Sequence, residues 1–176
     1  SHDAGVVYAA FDNHKNGGDF KPYVLRSKDR GRSWTSIAGN LPERGTVYCL
    51  AEDPVDSNLL FAGTEFGVFF TVNGGLKWTQ LKGGLPVQQV RDMAIQPREN
   101  DLVLATFGRG FYVLDDYTPL RGLSRAALEG AAALSPVETA LLYVPDSPLG
   151  GRDRASRGES YFTAPNPPFG AIFTYY

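Results

Sequence analysis

Several residue types that carry common chemistry are scarce in this sequence of 176 residues, which contains one cysteine and two histidines. The single cysteine, Cys49, excludes a disulfide within the chain. The two histidines lack cysteines or acidic residues at the spacing of metal ligands, so we expect no metal site and no cofactor. Long apolar runs are missing too, and none approaches the ~18 residues of a transmembrane helix, so we predict no membrane span.

An excess of positive charge is also missing. The chain has 17 Lys and Arg against 19 Asp and Glu, which gives a net charge of −2. Without a basic field to attract phosphates, we expect no nucleic-acid partner. Apolar residues make up 43% of the chain and charged residues 20%, which is typical of a globular protein. The 20 glycines, 12 prolines and many aromatic residues favour short strands joined by tight turns.

One short motif occurs twice, as SKDRGRSW at positions 27–34 and as TVNGGLKW at positions 71–78. A short Asp or Asn side chain can bond backbone N–H groups ahead of it and fix a turn. The glycine supplies a positive φ, and the tryptophan is expected to be buried under the turn. The motif therefore predicts two equivalent β-hairpins. The shared positions are Ser27, Asp29, Gly31 and Trp34 in the first copy and Thr71, Asn73, Gly75 and Trp78 in the second.

The motif belongs to a longer repeat of about 43 residues, in which NLLFAG at 58–63 matches DLVLAT at 101–106. Such a period with four short strands per unit is typical of a propeller blade, whose strands are named A to D in chain order. We predict one complete blade with strands at 47–52, 59–63, 68–72 and 77–81. The predicted fold class is all-β: part of a β-propeller of about three four-stranded blades, with the first and last incomplete and a C-terminal extension leading toward a β-sandwich.

Three regions are predicted. Residues 1–116 form the blades, 117–160 form a linker with a short helix at 123–134 and a strand at 140–144, and 161–176 begin a following β-domain. An open array of blades exposes its two ends. We therefore expect the remaining blades of the same protein, or other subunits, to be partners.

The repeated motif resembles the Asp-box, the hairpin signature of BNR-repeat propellers, which sialidases, tandem-propeller xyloglucanases and sortilin/Vps10 domains carry. The segments GTEFGVFFT, ATFGRGFYVLDDY and APNPPFGAIFTYY are similar to bacterial exported sortilin/Vps10-like, or glycosyl-hydrolase-like, propeller proteins. The resemblance implies an exported protein, whether periplasmic, cell-surface or secreted. It also implies that the box residues are structural and lie away from the ligand face.

A propeller places its A–B and C–D turns on one face and its B–C and D–A loops on the other, which is the usual ligand face. Three arginines on the second face would suit a carboxylate, as in the arginine cluster of sialidases, or would simply pack on aromatic neighbours. The candidate ligand-face residues are Asp12, His14, Asp19, Arg44, Glu65, Phe66, Arg91, Phe107 and Arg109.

Three functions remain open on this reading. The leading hypothesis is a non-catalytic scaffold that recognises a peptide, glycan or protein. The first alternative is a carbohydrate-active hydrolase, sialidase- or xyloglucanase-like, with catalytic residues partly outside this sequence; the second is a structural or assembly protein. A glycosidase needs two carboxylates about 5–5.5 or 6.5–9.5 Å apart, and no local pattern pairs Asp12, Asp19, Glu43 or Glu65.

Overall fold

The computed structural model describes residues 2–124, 129–140, 142, 144 and 169–176. The chain divides into two compact units, Ser1–Glu129 and Gly130–Tyr176. The first unit contains three antiparallel sheets in which strands adjacent in sequence are also adjacent in the sheet. The all-β propeller fold class is confirmed. No helix in the described residues has the length and apolar character needed to cross a membrane.

The sheets hold three, four and three strands, which correspond to blade strands B–D, A–D and A–C. A four-residue helix, α1 (His14–Gly17), interrupts the first sheet, and a 3-10 helix (Thr118–Gly122) follows the third. The strands are β1 (Val7–Asn13), β2 (Asp19–Ser27), β3 (Thr35–Ser36), β4 (Val47–Glu52), β5 (Leu60–Thr64), β6 (Gly67–Thr71), β7 (Thr79–Gln80), β8 (Val90–Gln96), β9 (Asp101–Thr106) and β10 (Phe111–Leu114).

Strand β5 is buried along its whole length because the second sheet is covered on both faces. Successive strand residues point to opposite faces, so its residues divide between two cores. Leu60 and Ala62 pack in a cluster that includes Val24 of the first sheet. Phe61 packs in a second cluster that includes Leu102 of the third sheet. The three sheets therefore stack as successive blades, with one apolar core at each junction.

The second and third sheets approach so closely that position 63 accommodates only a glycine. A Cβ atom on Gly63 would overlap the Cys49 sulfur and lie 3.0 Å from the Val90 carbonyl oxygen. Burial raises the pKa of the Cys49 thiol to about 12, with the nearby Asp92 adding to the effect. The thiol is therefore a packing group at this junction and not a nucleophile.

The repeated motif forms the same turn in both copies. In the first, the Ser27 hydroxyl donates to the Asp29 carboxylate at 2.8 Å and accepts from the Gly31 N–H at 2.8 Å. The Asp29 carboxylate also accepts from the Ser33 N–H at 2.8 Å. Gly31 has a φ of 83°, in the left-handed region that glycine tolerates.

In the second copy, the Thr71 hydroxyl donates to the Asn73 side chain at 2.8 Å and accepts from the Gly75 N–H at 3.1 Å. The Asn73 oxygen accepts from the Lys77 N–H at 2.9 Å. Gly75 has a φ of 93°. Hydroxyl, Asp or Asn, and Gly thus have equivalent partners in the two turns, so the turn geometry follows from local chemistry.

The two tryptophans do not share one environment, and the expectation that both are buried is wrong for Trp34. Trp78 is 2% exposed and its indole N–H donates to the Ile37 carbonyl at 2.8 Å. The Asn40 side chain also bonds the backbone N–H and C=O of Trp78, at 2.6 and 3.0 Å. Trp34 is 42% exposed and bonds only Gly31, at 3.0 Å. Ile37 and Asn40, which bond Trp78, lie in the segment after the first sheet, whereas the indole of Trp34 bonds within its own turn.

After β10 the chain crosses to the second sheet. The carboxylate of Asp53, which is fully buried, accepts hydrogen bonds from the Tyr117 hydroxyl at 2.6 Å and from Arg121 at 2.7 and 3.0 Å. Arg121 also donates to the Asn100 side chain at 3.0 Å. The Tyr117 ring packs edge-on against Phe61, with the ring centroids 5.2 Å apart. This polar cluster holds the segment after β10 against the second core.

In the second unit, two segments pair antiparallel through an isolated bridge between Leu134 and Tyr175. The N–H and C=O of Ala133 and Tyr176 bond each other at 3.0 and 2.8 Å, and the Ser135 N–H bonds the Thr174 carbonyl at 2.9 Å. The helix predicted at 123–134 and the strand predicted at 140–144 lie partly outside the described residues.

Candidate ligand-binding face

Backbone hydrogen bonds join each B–C connection of the first unit to a neighbouring D–A loop. The Gly45 N–H bonds the Phe20 carbonyl at 2.9 Å, and the Glu65 N–H bonds the Thr46 carbonyl at 3.1 Å. The Phe107 N–H bonds the Gln89 carbonyl at 3.0 Å. Loops from all three sheets therefore form one continuous edge of the unit.

Aromatic rings and arginines alternate along this edge. The Arg91 guanidinium lies 4.1 Å from the centre of the Tyr48 ring and 5.4 Å from that of Phe107. The Arg44 guanidinium lies 5.2 Å from the centre of the Phe20 ring. All three distances are typical of cation–π pairs. We call the set the aromatic–arginine band: Phe20, Arg44, Tyr48, Phe66, Arg91 and Phe107.

Phe66 joins the two halves of the band. Its ring packs over Gly45, where an added Cβ would lie 3.3 Å from the ring edge. Phe66 is 39% exposed and Phe107 is 65% exposed, so both rings keep surface for a ligand. Exposed aromatic rings beside fixed polar groups are common in ligand sites.

Phe20 and Tyr48 are the members of the band that are absent from the predicted face residues. Tyr48 was missed because strand A residues were assigned to the inner strand and not to the face. It is the second residue of β4, next to the loop end. Burial raises the pKa of its hydroxyl; Arg91 opposes this effect, while Glu65 and Asp12 add to it. Tyr48 is therefore within electrostatic reach of three predicted face residues. The only signal in the sequence was its position beside a D–A loop.

Asp12 and His14 stabilise the connection between β1 and β2. Asp12 accepts a hydrogen bond from the His14 N–H at 2.9 Å and pairs with the imidazole Nδ1. The backbone hydrogen bond is the main reason that the pKa of the Asp12 carboxyl is lowered. The His14 ring stacks on Phe20 with centroids 5.7 Å apart. Asp12 thus holds His14 against the band.

Asp19 has a similar local role. It accepts hydrogen bonds from the Tyr23 hydroxyl and from the Lys21 N–H, the latter at 3.0 Å. These two bonds, with that of Tyr23 the stronger influence, lower the pKa of its carboxyl. Both aspartates are therefore ionised at neutral pH and engaged in turns of their own loop.

Arg109 lies apart from the band. It is exposed at the tip of the loop between β9 and β10. In the described part of the chain, no hydrogen bond, ion pair or ring contact joins its side chain to a band residue. The structure therefore brings together two of the three predicted arginines. The same described residues contain no group of three or more potential metal ligands.

A groove of about 980 Å³ runs beside one end of the band, between β2 and the loop that follows β3. The N–H groups of Ile37 and Gly45 in this loop donate backbone hydrogen bonds to β2. The groove lies between these two points of attachment. Pro22, which has no N–H to donate, lies on this stretch of strand edge. The groove is lined by residues that include Asp19, Phe20, Tyr23, Leu41, Glu43 and Arg44.

No protein-family model matches the chain. In sequence it is similar to a xyloglucanase of Hypocrea jecorina (strain QM6a), with 34% identity over 95 residues, 50% of this chain and 10% of that protein. It is also similar to the xyloglucanase Xgh74A of Acetivibrio thermocellus, with 32% identity over 91 residues, 46% of this chain and 11% of that protein. The chain thus spans about a tenth of the length of the curated relatives it matches.

Two solved structures are similar in fold. An ancestral GH74 enzyme has a TM-score of 0.48 and 29% identity, over 60% of this chain and 12% of that chain. YCF48 bound to D1 peptide has a TM-score of 0.41 and 17% identity, over 55% of this chain and 31% of that chain.

Proposed function

We propose that the aromatic–arginine band binds a glycan, and that the described residues recognise it without hydrolysing it. The observation that carries this proposal is the row of exposed rings and stacked arginines that three sheets contribute to one edge. Phe66 and Phe107 offer apolar surface to the C–H faces of sugar rings, and the arginines offer donors to their oxygens. We also propose that the protein is exported, because structural polysaccharides lie outside the cell.

The sequence relatives support a glycan over a peptide or protein ligand. The two relatives described above are both named xyloglucanases. Each of them matches about half of this chain. A peptide or protein ligand is the alternative that the binding test below can detect.

Recognition is favoured over hydrolysis by the state of the two aspartates. Hydrolysis requires a carboxylic acid that is still protonated at the working pH, which means a raised pKa. The pKa values of Asp12 and Asp19 are lowered instead, by hydrogen bonds that each carboxylate accepts within its own loop. Neither carboxyl therefore has the raised pKa that a general acid needs.

A glycoside hydrolase is the second candidate, because the matched relatives carry that activity in their names. On this reading Glu65 or Glu43 would act with a carboxylate supplied by another part of a longer protein. The two candidates differ in a single observable, which is the release of new reducing ends.

The test measures binding and turnover together. The 176-residue chain is titrated with xyloglucan, mixed-linkage glucan, pectic galactan and polygalacturonate, and each mixture is assayed for reducing ends. We expect binding without turnover, weakened severalfold by Phe107→Ala. The matched control is Leu76→Ala, an exposed apolar side chain of a C–D turn that is 79% exposed.

Failure of every polysaccharide to bind, or equal binding by Phe107→Ala and the wild type, contradicts the proposal. Binding of an unrelated peptide library alone would favour a peptide ligand instead. Reducing ends that appear with the wild type and disappear with Glu65→Gln would establish the hydrolase reading.

A further inference from the structure

The guanidinium groups of Arg44 and Arg91 are held by aromatic rings and not by carboxylates. Within the part of the chain that the structure describes, neither arginine forms a salt bridge with Asp or Glu. Arg121, by contrast, is paired with Asp53 and only 19% exposed. The two band arginines therefore retain their charge for a ligand, whereas Arg121 has a structural partner.

Each of these guanidinium groups also lies over an aromatic ring. Contact with the ring restricts the motion of the guanidinium, and its planar fork of N–H donors matches the two oxygens of a carboxylate. In Arg91, one N–H of Nη2 bonds the Gln89 side chain at 2.8 Å, which further restricts rotation. Such preorganisation lowers the entropic cost of binding an anion.

The two arginines lie at different places in successive repeats: Val47 and Val90 begin equivalent strands, so the residue equivalent to Arg91 is Tyr48. Arg44 precedes β4 in one D–A loop, and Arg91 follows Val90 at the start of β8 after the next D–A loop. Phe66 lies in the B–C turn of the second sheet, with its ring next to Gly45. The band therefore offers two arginines beside exposed aromatic rings, which suits a ligand with both anionic groups and apolar surface.

We infer that the band selects a glycan that carries carboxylates, such as a chain of uronic acid residues. Each stacked guanidinium takes one carboxylate, while Phe66 and Phe107 contact the intervening sugar rings. This inference rests on the proposed function and adds the chemical class of the ligand. Asp12 and Glu65 lie near Tyr48 on the same face, so no broad positive field is present. Selection therefore depends on the geometry of two guanidinium groups. A nucleic acid is disfavoured, because its binding depends on a broad positive field that contacts many phosphates.

The experiment compares one oligosaccharide in three chemical forms by calorimetric titration of the 176-residue chain. The forms are an oligogalacturonate, its methyl ester and the galactose oligomer of the same length. We expect the acid to bind about tenfold more tightly than either neutral form, as for one or two charge-assisted hydrogen bonds. Arg44→Ala and Arg91→Ala should each remove most of this preference.

Two further variants make the comparison specific. Arg91→Lys keeps the charge but loses the planar fork, so it should also lose much of the preference. Arg98→Ala should leave it unchanged, because Arg98 lies in the turn between β8 and β9 and bonds Glu99 at 2.7 Å. Circular dichroism of each variant verifies that the fold is retained.

Equal affinity for acid and neutral forms, in the wild type and in both alanine variants, overturns this inference and leaves the proposed function intact. Absence of binding to all three forms and to the neutral polysaccharides overturns both. Tighter binding of a single-stranded oligonucleotide, or of a peptide with a free C-terminal carboxylate, would overturn the assignment to an acidic glycan.

Discussion

The side chains of Arg121 and Asp53 form a two-point ion pair between positions 68 residues apart in sequence. Arg121 Nε donates to one carboxylate oxygen at 3.0 Å and Nη2 donates to the other at 2.7 Å. The Tyr117 hydroxyl and the N–H groups of Val55 and Asp56 donate to the same carboxylate. A single buried acid thus connects the A–B turn of one blade to the segment that follows the next.

Removing one partner of this pair should be costly, because the other is left charged and buried. We expect Arg121→Ala to lower the free energy of unfolding by about 3–5 kcal/mol. Urea unfolding at neutral pH, followed by tryptophan fluorescence, measures the loss. The control is Arg98→Ala, whose side chain is 82% exposed and pairs only with a neighbour in sequence. Equal stability of the two variants would show that the pair is not formed.

The same carboxylate should make the protein sensitive to acid. Burial alone would raise the pKa of Asp53, but hydrogen bonds from Arg121 and Tyr117 outweigh burial and the pKa is lowered. The stabilisation is therefore complete above the unfolded pKa of ~3.9 and is lost as pH falls through the lower folded value. The pKa of Asp29, lowered to about 2 chiefly by the Ser33 hydroxyl, acts with the same sign.

Urea midpoints measured between pH 7 and pH 2.5 test this dependence. We expect a steep loss of stability below about pH 4. The loss should be shallower in Asp53→Asn, which is less stable at neutral pH but has one fewer group to protonate. Asp92→Asn, at an exposed position of β8, should keep the wild-type dependence. An Asp53→Asn profile parallel to that of the wild type would contradict the assignment.

The two tryptophans should differ in their contribution to stability despite their equivalent places in the repeated motif. Trp78→Ala should cost about 3–5 kcal/mol, since it empties a buried site and removes the bond to Ile37. Trp34→Ala should cost less than half as much, because Trp34 is 42% exposed and bonds only its own turn. Equal losses would indicate that Trp34 is covered in solution. Leu76→Ala serves as the near-zero reference.

The blades could be predicted from sequence because their signals are local. Strand A of the second sheet was predicted at 47–52 and is Val47–Glu52. Strand D was predicted at 77–81 and is shorter, at Thr79–Gln80, with one further backbone bond from the Leu81 N–H to the Val68 carbonyl at 2.8 Å. The turn motif likewise depends on side chains within four residues of one another.

What could not be predicted depends on neighbours that are distant in sequence. The burial of Trp78 depends on residues far away in sequence, such as Ile37, and the pairing of Asp53 with Arg121 spans 68 residues. On the candidate face, the loops and most band residues were predicted from blade topology. Tyr48 was missed because a strand residue near a loop end gives no periodic signal. Its contact with Arg91 depends on how two sheets pack against each other.

The junction between the second and third sheets gives the last prediction. Gly63→Ala should lower the free energy of unfolding by about 1–3 kcal/mol, because the new methyl group overlaps the Cys49 sulfur and crowds the Val90 carbonyl. Cys49→Ala removes the sulfur, so the double variant should recover part of the loss. The carbonyl contact, at 3.0 Å, remains and prevents full recovery.

A double-mutant cycle of Gly63→Ala and Cys49→Ala, measured by urea unfolding, gives the coupling free energy between the two positions. A favourable coupling of about 0.5 kcal/mol or more is expected for residues in direct overlap. Gly122→Ala is the control for the glycine-to-alanine change alone, because an added Cβ there meets nothing within 4 Å and, as at Gly63, the φ is not positive. Strictly additive losses for Gly63 and Cys49 would mean that the Cys49 sulfur does not lie against position 63 in solution, although the two residues are opposite each other in neighbouring strands.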